Sequence, residues 1–180
     1  ALETGLVFAW LGTCLFILAT WAASDRSSLS TTRAVVLGLG WLVRPELVLF
    51  SAGFLLVVVV AERRHRRDCA RIVVAMVALP LAYQVFRMGF YGSLVPNTAI
   101  AKEGSDTNWS RGWRYLIDFA RPYWLWFVVI ALAAGGYVPV MRGLAAARRT
   151  RSLLAVGVFP VCAVLHVVYV VSVGGDYMHA

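Results

Sequence analysis

The sequence predicts an all-α fold, a multi-pass bundle of transmembrane helices. Of its 180 residues, 61% are hydrophobic and only 14% are charged, which is far more apolar than a soluble domain. Several apolar runs approach the roughly 20 residues with which a helix crosses the ~30 Å hydrocarbon core of a bilayer. The net charge of +8 comes almost entirely from arginines, which lie in short clusters between these runs. Such clusters are typical of membrane topology and argue against nucleic-acid binding.

Four apolar runs are each predicted to form one membrane span. They cover approximately residues 2–24, 72–86, 123–141 and 152–173. The second run is short and contains Pro80, so we expect it to be kinked or to extend by a turn past Arg71 and Arg87. The first run lacks an initiator methionine and the charged start of a signal peptide. We expect the chain to be a fragment of a larger protein.

The arginine clusters predict how the spans are oriented. Arg26 and Arg33 flank the first loop, a second cluster lies within residues 62–71, and a third within residues 142–151. By the positive-inside rule all three are cytoplasmic. Residues 87–122 are then expected on the extracytoplasmic side.

The apolar stretch 34–61 is interrupted by Arg44-Pro45-Glu46. Its halves contain about 10 and 15 residues, too few for either to cross the membrane alone at ~1.5 Å per residue. A broken hairpin with its tip at this interruption would return both ends to the cytoplasmic side. A single long kinked helix is the alternative, but it would place a basic loop on the wrong face.

The predicted extracytoplasmic segment is rich in aromatic residues. Its first part mixes glycines, aromatics and polar groups without a helical period. A dense set of Trp and Tyr follows, as is typical of the interfacial belt. Residues 113–119 are predicted to form an amphipathic helix along the membrane surface.

Two polar motifs each allow a structural and a functional interpretation. Arg44-Pro45-Glu46 is either an ion pair that closes the hairpin or a site where Arg44 binds a phosphate through its planar guanidinium. The stretch VGGDYMHA, residues 173–180, places an acid, a phenol and an imidazole after two glycines at a helix end. It is either a solvated helix end or part of a site.

Four stretches, taken in order, resemble one family. They are Leu2–Gly5 (LETG), Leu42–Glu46 (LVRPE), Tyr91–Lys102 (YGSLVPNTAIAK) and Gly174–His179 (GGDYMH). Together they resemble the multi-pass, lipid-linked glycosyltransferases of the GT-C type, and more closely the arabinofuranosyltransferases of actinobacterial cell walls, in particular those that add terminal β-(1→2)-linked arabinofuranose. The resemblance extends over nearly the whole chain.

The resemblance implies a transfer reaction at the plasma membrane, with the active face extracytoplasmic. The donor would be decaprenyl-phosphoryl arabinofuranose, and the acceptor the arabinan of arabinogalactan or lipoarabinomannan. An essential acidic residue of the family lies in a first extracytoplasmic loop, expected upstream of Ala1. A soluble carbohydrate-binding domain is expected further along the chain. The partners would therefore be membrane lipid, the lipid-linked donor and the arabinan acceptor, with no nucleic acid.

Ten residues are candidates for such a site. A cationic group at the membrane interface would bind the leaving phosphate, and an acid or imidazole would accept the acceptor's proton or order sugar hydroxyls. The catalytic candidates are Asp176, His179 and Glu3. The substrate-binding candidates are Arg44, Glu46, Arg87, Tyr91, Asn97, Lys102 and Tyr177.

Metals and rival functions are less well supported by the sequence. Cys14, Cys69 and Cys162 lie far apart without metal-ligand spacing, and neither His65 nor His166 is predicted to have a functional role. A divalent cation is left open, although no motif indicates one. The rival function is a transporter or flippase for a lipid-linked or anionic substrate, which would need polar residues throughout its spans. A purely structural membrane scaffold is the third alternative.

Overall fold

A computed structural model of the chain describes residues 2–24, 28–63, 65–92, 108–147 and 149–174. Helices form most of this part of the chain, and no strand occurs in it, which confirms the predicted all-α class. The helices are α1 (Leu2–Ala23), α2 (Thr31–Gly38), α3 (Gly40–Val43), α4 (Val48–Glu62), α5 (Arg66–Tyr91), α6 (Trp109–Ala120), α7 (Leu125–Leu132), α8 (Val138–Ala146) and α9 (Thr150–Val173). A 3₁₀ turn (Pro45–Leu47) precedes α4, and a π-helical turn (Ala133–Tyr137) joins α7 to α8.

Five of the described helical segments are long and apolar enough to cross a membrane. They are Glu3–Ala23, Pro45–Glu62, Arg66–Tyr91, Leu125–Ala146 and Thr150–Val173. The expectation that neither half of residues 34–61 is long enough to cross the membrane alone was therefore wrong for the second half, because the 3₁₀ turn and Glu62 extend it to 18 residues. A helical membrane bundle is therefore the architecture of this chain.

Two of these segments differ in extent from the apolar runs that predicted them. α5 begins before residue 72 and ends after residue 86, so the predicted extension past Arg71 and Arg87 is confirmed. The start of the predicted extracytoplasmic segment, residues 87–91, is accordingly helical. The run 123–141 forms a helix that begins at Leu125 and ends at Ala146, and none of its residues is buried. Both helices continue into polar sequence, because backbone hydrogen bonds can extend a helix beyond its apolar residues.

The core of the bundle is built around Phe54 of α4, whose side chain is fully buried. Its ring centroid lies 5.9 Å from that of Trp10 in α1, 6.3 Å from that of Phe50, and 5.1 Å from that of Phe159 in α9. Aromatic pairs in this range add about 0.5–1.5 kcal/mol each beyond their area burial. These contacts hold α1, α4 and α9 together.

α2 packs along α5 in the same direction. Just before α2, the Leu29 carbonyl accepts a 3.3 Å hydrogen bond from Arg71 Nη2. At the end of α2, Gly38 touches the Met76 backbone so closely that a Cβ at this position would overlap the Met76 carbonyl. Both helices advance together between these contacts, and they are therefore parallel.

α4 runs back in the opposite direction. Near its start, the Ser51 hydroxyl donates a 3.0 Å hydrogen bond to the Leu37 carbonyl of α2. At its other end, Glu62 accepts a hydrogen bond from Trp21 in the last turn of α1, next to the start of α5. The chain therefore reverses in the turn Arg44–Leu47.

These helix directions define two ends of the bundle. The arginine-rich end contains Trp21, Glu62, Arg66 and Arg151, in the last turns of α1 and α4 and the first turns of α5 and α9. The turn end contains the start of α1, the turn Arg44–Leu47 and the last turns of α5 and α9. The 24 residues of α9 extend about 36 Å at 1.5 Å per residue, enough to cross the bilayer core between the two ends.

The amphipathic helix predicted within residues 113–119 forms as α6 and is longer than expected. Trp109, Trp113 and Ile117 recur every fourth residue and are 54%, 56% and 38% exposed. At about 100° per residue, Arg114 and Asp118 lie about 100° and 140° from Trp113, the middle residue of this set, and so fall outside the apolar face. A helix with this pattern is suited to the membrane interface.

Candidate functional site

The structure describes five of the ten candidate residues. These are Glu3, Arg44, Glu46, Arg87 and Tyr91. The other five, Asn97, Lys102, Asp176, Tyr177 and His179, lie outside the described residues. All five described candidates are at the turn end of the bundle: Glu3 is in the first turn of α1, and the others are in the turn before α4 or near the end of α5.

Arg44 and Glu46 contact each other directly across Pro45. Arg44 is extended (φ −152°, ψ 138°), as expected of a residue that precedes proline, and Pro45 opens the 3₁₀ turn. An Arg44 Nη2 atom lies 2.7 Å from Glu46 Oε1, and the two side chains are 45% and 23% exposed. The guanidinium is thus held in place by a carboxylate while almost half of its surface stays open.

The turn that carries this pair is fixed by close packing around Gly40. A Cβ at position 40 would lie 2.6 Å from both Ser51 Oγ and the Trp10 ring, and 2.9 Å from the Leu47 carbonyl oxygen. The Trp10 indole N–H also donates a 2.8 Å hydrogen bond to the Val36 carbonyl. Only glycine leaves room for α1, α3 and α4 to meet here, so the position of the turn depends on Gly40.

α5 and α9 both end at the turn end in a left-handed glycine. Gly92 (φ 64°) follows α5, and Gly174 (φ 91°) follows α9. Glycine adopts this conformation without a Cβ clash and commonly terminates helices in this way. On α5, Arg87 is partly buried and Tyr91 is 65% exposed.

The start of α6 is attached to the end of α9. The Asn108 N–H donates a 2.9 Å hydrogen bond to the Ser172 carbonyl, while the Asn108 side-chain oxygen caps α6 by accepting from the Arg111 N–H at 3.1 Å. Gly112 packs directly on the Val171 backbone. The interfacial helix and the transmembrane helix are therefore joined at the point where α9 ends.

Arg111 is a residue that sequence reasoning missed. Its Nε donates a 3.2 Å hydrogen bond to the carbonyl of Gly174, which is the first residue of the GGDYMH motif. A cation at a helix C-terminus interacts favourably with the unpaired carbonyls there. In the sequence, Arg111 is one of several polar residues of α6. No local pattern indicates that its hydrogen-bond partner is 63 positions away.

His166 was not predicted to have a role, yet its surroundings are unusual. Its Nδ1 atom is buried without a hydrogen-bond partner among the described residues. The ring lies 6.2 Å from that of Phe50 and 6.5 Å from that of Tyr169. Phe50 is one helical turn from Glu46. His166 therefore lies in the interior of the bundle, close to the turn Arg44–Leu47.

The described residues contain no cluster of three or more His, Cys, Asp or Glu side chains that could hold a metal ion. The chemistry available at the turn end is that of a guanidinium paired with a carboxylate, a second arginine, a phenol and a glutamate at the start of α1. Such groups can bind phosphate and sugar hydroxyls.

The fold defines a multi-pass helical membrane protein, and its described candidate residues lie at one end of the bundle. Neither a family model nor a solved structure matches the chain. Among curated proteins, it is 37% identical, over an alignment of 203 positions, to the terminal β-(1→2)-arabinofuranosyltransferase of Corynebacterium glutamicum. It is 38% identical, over an alignment of the same length, to the protein of the same name from Mycobacterium tuberculosis.

Each match covers 99% of this chain but only 29% or 31% of the relative. The resemblance inferred from the motifs is confirmed: the chain is related along nearly its whole length to part of the terminal β-(1→2)-arabinofuranosyltransferases. The chain thus spans about three tenths of the length of these curated relatives.

Proposed function

We propose that this chain is part of a membrane glycosyltransferase that transfers arabinofuranose from a decaprenyl-phosphate-linked donor to cell-wall arabinan. Two relatives that match 99% of the chain carry the name of an arabinofuranosyltransferase. The lipid-linked donor and the arabinan acceptor are implied by the family resemblance. A helical bundle whose five described candidates lie at one end suits a substrate with its tail in lipid and its phosphosugar at the interface.

The observation that carries the proposal is the geometry of Arg44. A charge at membrane depth is costly unless it is paired or hydrated, and Arg44 is both, since it contacts Glu46 and remains 45% exposed. A guanidinium with open donors can form two parallel hydrogen bonds to a phosphate. Glu46 would then orient Arg44 rather than neutralise it completely.

In the proposed reaction an acceptor hydroxyl oxygen bonds to the anomeric carbon of the donor, and the bond from that carbon to the phosphate oxygen breaks. Decaprenyl phosphate leaves, and the hydroxyl proton passes to a protein base. Arg44, Arg87 and Lys102 would stabilise the charge that develops on the phosphate. The candidate bases are Asp176, His179 and Glu3.

The remaining candidates would hold the sugars. Tyr91, Asn97 and Tyr177 carry hydroxyl or amide groups that can exchange hydrogen bonds with sugar hydroxyls. Tyr91 is well exposed at the end of α5, where an acceptor chain could reach it. The roles of Asn97 and Tyr177 are assigned from their side-chain chemistry, and that of Tyr91 also from its position at the turn end.

Transfer is tested in membranes from cells that express or lack the full-length protein, with a donor labelled in its arabinose. We expect label to enter arabinan only when the protein is present, and the product to carry a new β-(1→2) linkage. If the labelled lipid crosses vesicle membranes without any transfer, the protein is a flippase and the proposal is wrong.

The proposal also places the turn end on the extracytoplasmic side of the plasma membrane, following the positive-inside rule. Exposed Ser110 on α6 and exposed Thr150 at the start of α9 lie at opposite ends. In a variant of the full-length protein without its native cysteines, Ser110→Cys should react with an impermeant maleimide in intact cells, whereas Thr150→Cys should react only after lysis. The reverse pattern would contradict the proposed sidedness.

A further inference from the structure

A groove with a charged mouth lies between α4 and α5 at the arginine-rich end. Its volume is about 430 Å³. It is lined by Val59, Arg63, Arg66, Cys69, Ala70, Val73 and Val74. None of the ten candidate residues of the proposed transfer site lies in it.

The groove is amphipathic along its length. Arg63 and Arg66 lie beside the turn that joins α4 to α5, whereas Val73 and Val74 lie two helical turns further along α5. Eight residues separate Arg66 from Val74, which corresponds to about 12 Å along the helix axis. Because α5 is long enough to cross the bilayer, the arginines are at the interface and the valines are within the hydrocarbon region.

The two arginines of the groove differ from Arg71 and Arg151 at the same end. Arg71 bonds internally to Asp68 at 3.2 Å and to the Leu29 carbonyl, and Arg151 pairs with Glu62. Arg63 and Arg66 are exposed and have no ion pair or hydrogen-bond acceptor within the described part of the chain. Two positive charges are therefore directed at the mouth of an apolar groove without a protein partner there.

We propose that this groove binds an anionic phospholipid. The headgroup phosphate contacts Arg63 and Arg66, and one acyl chain lies along Val59, Val73 and Val74. Charge complementarity favours an anionic over a zwitterionic headgroup, as in other basic pockets between transmembrane helices. The apolar floor argues against a free soluble anion, which would gain nothing from the valines. The proposal does not depend on the transfer reaction.

Native Cys69 provides a probe, because it lines the groove and is partly accessible. The full-length protein is placed in nanodiscs of phosphatidylglycerol or of phosphatidylcholine, and the maleimide reaction of Cys69 is followed by peptide mass spectrometry. We expect the reaction to be roughly threefold slower or more in phosphatidylglycerol, as an occupancy of about two thirds would give. An added cysteine, Thr150→Cys, reports the general effect of a negative membrane surface and should slow less.

Charge-matched variants separate the groove from the basic surface around it. Arg63→Gln with Arg66→Gln should abolish the difference between the two lipids at Cys69. Arg142→Gln with Arg149→Gln removes the same charge at the same end outside the groove, and should preserve that difference. A phospholipid with a photoreactive acyl chain should in addition cross-link to the peptide that contains Val73 and Val74.

Three results would overturn the proposal. Equal slowing at Cys69 and at the added cysteine would mean that only surface charge is acting. Equal loss of the lipid effect in both arginine pairs would show that the groove has no specific part in it. A Cys69 that is unreactive in both lipids, with no lipid cross-link at Val73 or Val74, would mean that protein covers the groove.

Discussion

Two arginine–glutamate pairs lie at opposite ends of the bundle and differ in how much water reaches them. At the arginine-rich end, Glu62 is 2% exposed and lies 3.5 Å from Arg151 Nη2. At the turn end, the shorter Arg44–Glu46 pair (2.7 Å) leaves its arginine 45% exposed. The pair with the shorter distance is therefore the more open one, and the distance within a pair does not indicate how accessible its arginine is.

Contacts with neighbouring helices explain why the Glu62–Arg151 pair is buried. The Trp21 indole N–H donates to Glu62 Oε1 at 3.2 Å, and the Arg151 guanidinium lies 5.4 Å from the centroid of the Trp21 ring. Arg151 also donates to the Ser24 carbonyl at 3.4 Å. One glutamate thereby joins α1, α4 and α9. The Arg44–Glu46 pair, by contrast, joins two residues of a single turn and leaves donors available to a ligand.

The largest expected effect is on stability, at the arginine-rich end. Arg151→Gln leaves the buried Glu62 carboxylate without its counter-ion, which should lower the free energy of unfolding by about 3 kcal/mol. The thermal midpoint of the full-length protein in detergent measures this loss. Adding Glu62→Gln should restore part of it, since no charge then remains buried.

Arg44→Gln is the matched change at the turn end and should cost about 1 kcal/mol or less. Equal losses for Arg151→Gln and Arg44→Gln would break the contrast between the two ends.

The second prediction concerns catalysis by the GGDYMH motif. Asp176→Asn keeps the shape of the side chain but removes its capacity to accept a proton, so transfer should fall by ~10²-fold if Asp176 is the base. Asp118→Asn, on the exposed polar face of α6, is the control and should leave transfer unchanged. Thermal stability should stay near wild type in both variants. Normal transfer by Asp176→Asn would leave GGDYMH as a helix end and direct the search for the base to residues upstream of this chain.

A smaller loss of activity is expected at the open arginine. Arg44→Lys keeps the charge but cannot form two parallel hydrogen bonds to a phosphate, so kcat/KM for the lipid-linked donor should fall about tenfold, or ~1.4 kcal/mol. Exposed Arg121→Lys serves as the control for the substitution itself. The double variant Arg44→Ala with Glu46→Ala tests whether the pair is merely structural. If transfer returns in the double variant, Arg44 does not bind the donor.

Most of the fold was predictable because membrane spans are specified by composition. Length and hydropathy alone identify α1, α5, α9 and the helix through α7 and α8, since a lipid environment requires every backbone group to be paired within a helix. The helix ends were less predictable. α5 continues through polar residues at both ends, and its length depends on backbone hydrogen bonds that hydropathy does not register.

The candidate site was predictable only in part, for a different physical reason. The Arg44-Pro45-Glu46 interruption was visible because charges and proline stand out within an apolar stretch. The exposure of Arg44, however, depends on how α3 and α4 pack around Gly40. Arg111 contacts Gly174 and His166 contacts Phe50, both distant in sequence, and no local period indicates such contacts. Pairs of this kind become visible only when the helices are assembled.

The smallest expected effect is at Arg111, and it tests whether the end of α9 must be held in place. Arg111 Nε donates to the Gly174 carbonyl, so Arg111→Gln removes a charge-assisted hydrogen bond one residue before the rest of GGDYMH. If Arg111 is a positioning residue, kcat should fall about threefold to tenfold, in line with ~1 kcal/mol for one hydrogen bond, while KM for the donor stays unchanged.

Arg111→Lys keeps a cation near the helix end and should recover part of the loss. Arg114→Gln is the matched control, since Arg114 lies three residues along the same helix and, among the described residues, bonds only to the Ser110 carbonyl of α6. Equal kcat values for Arg111→Gln and Arg114→Gln would show that Arg111 does not position the end of α9.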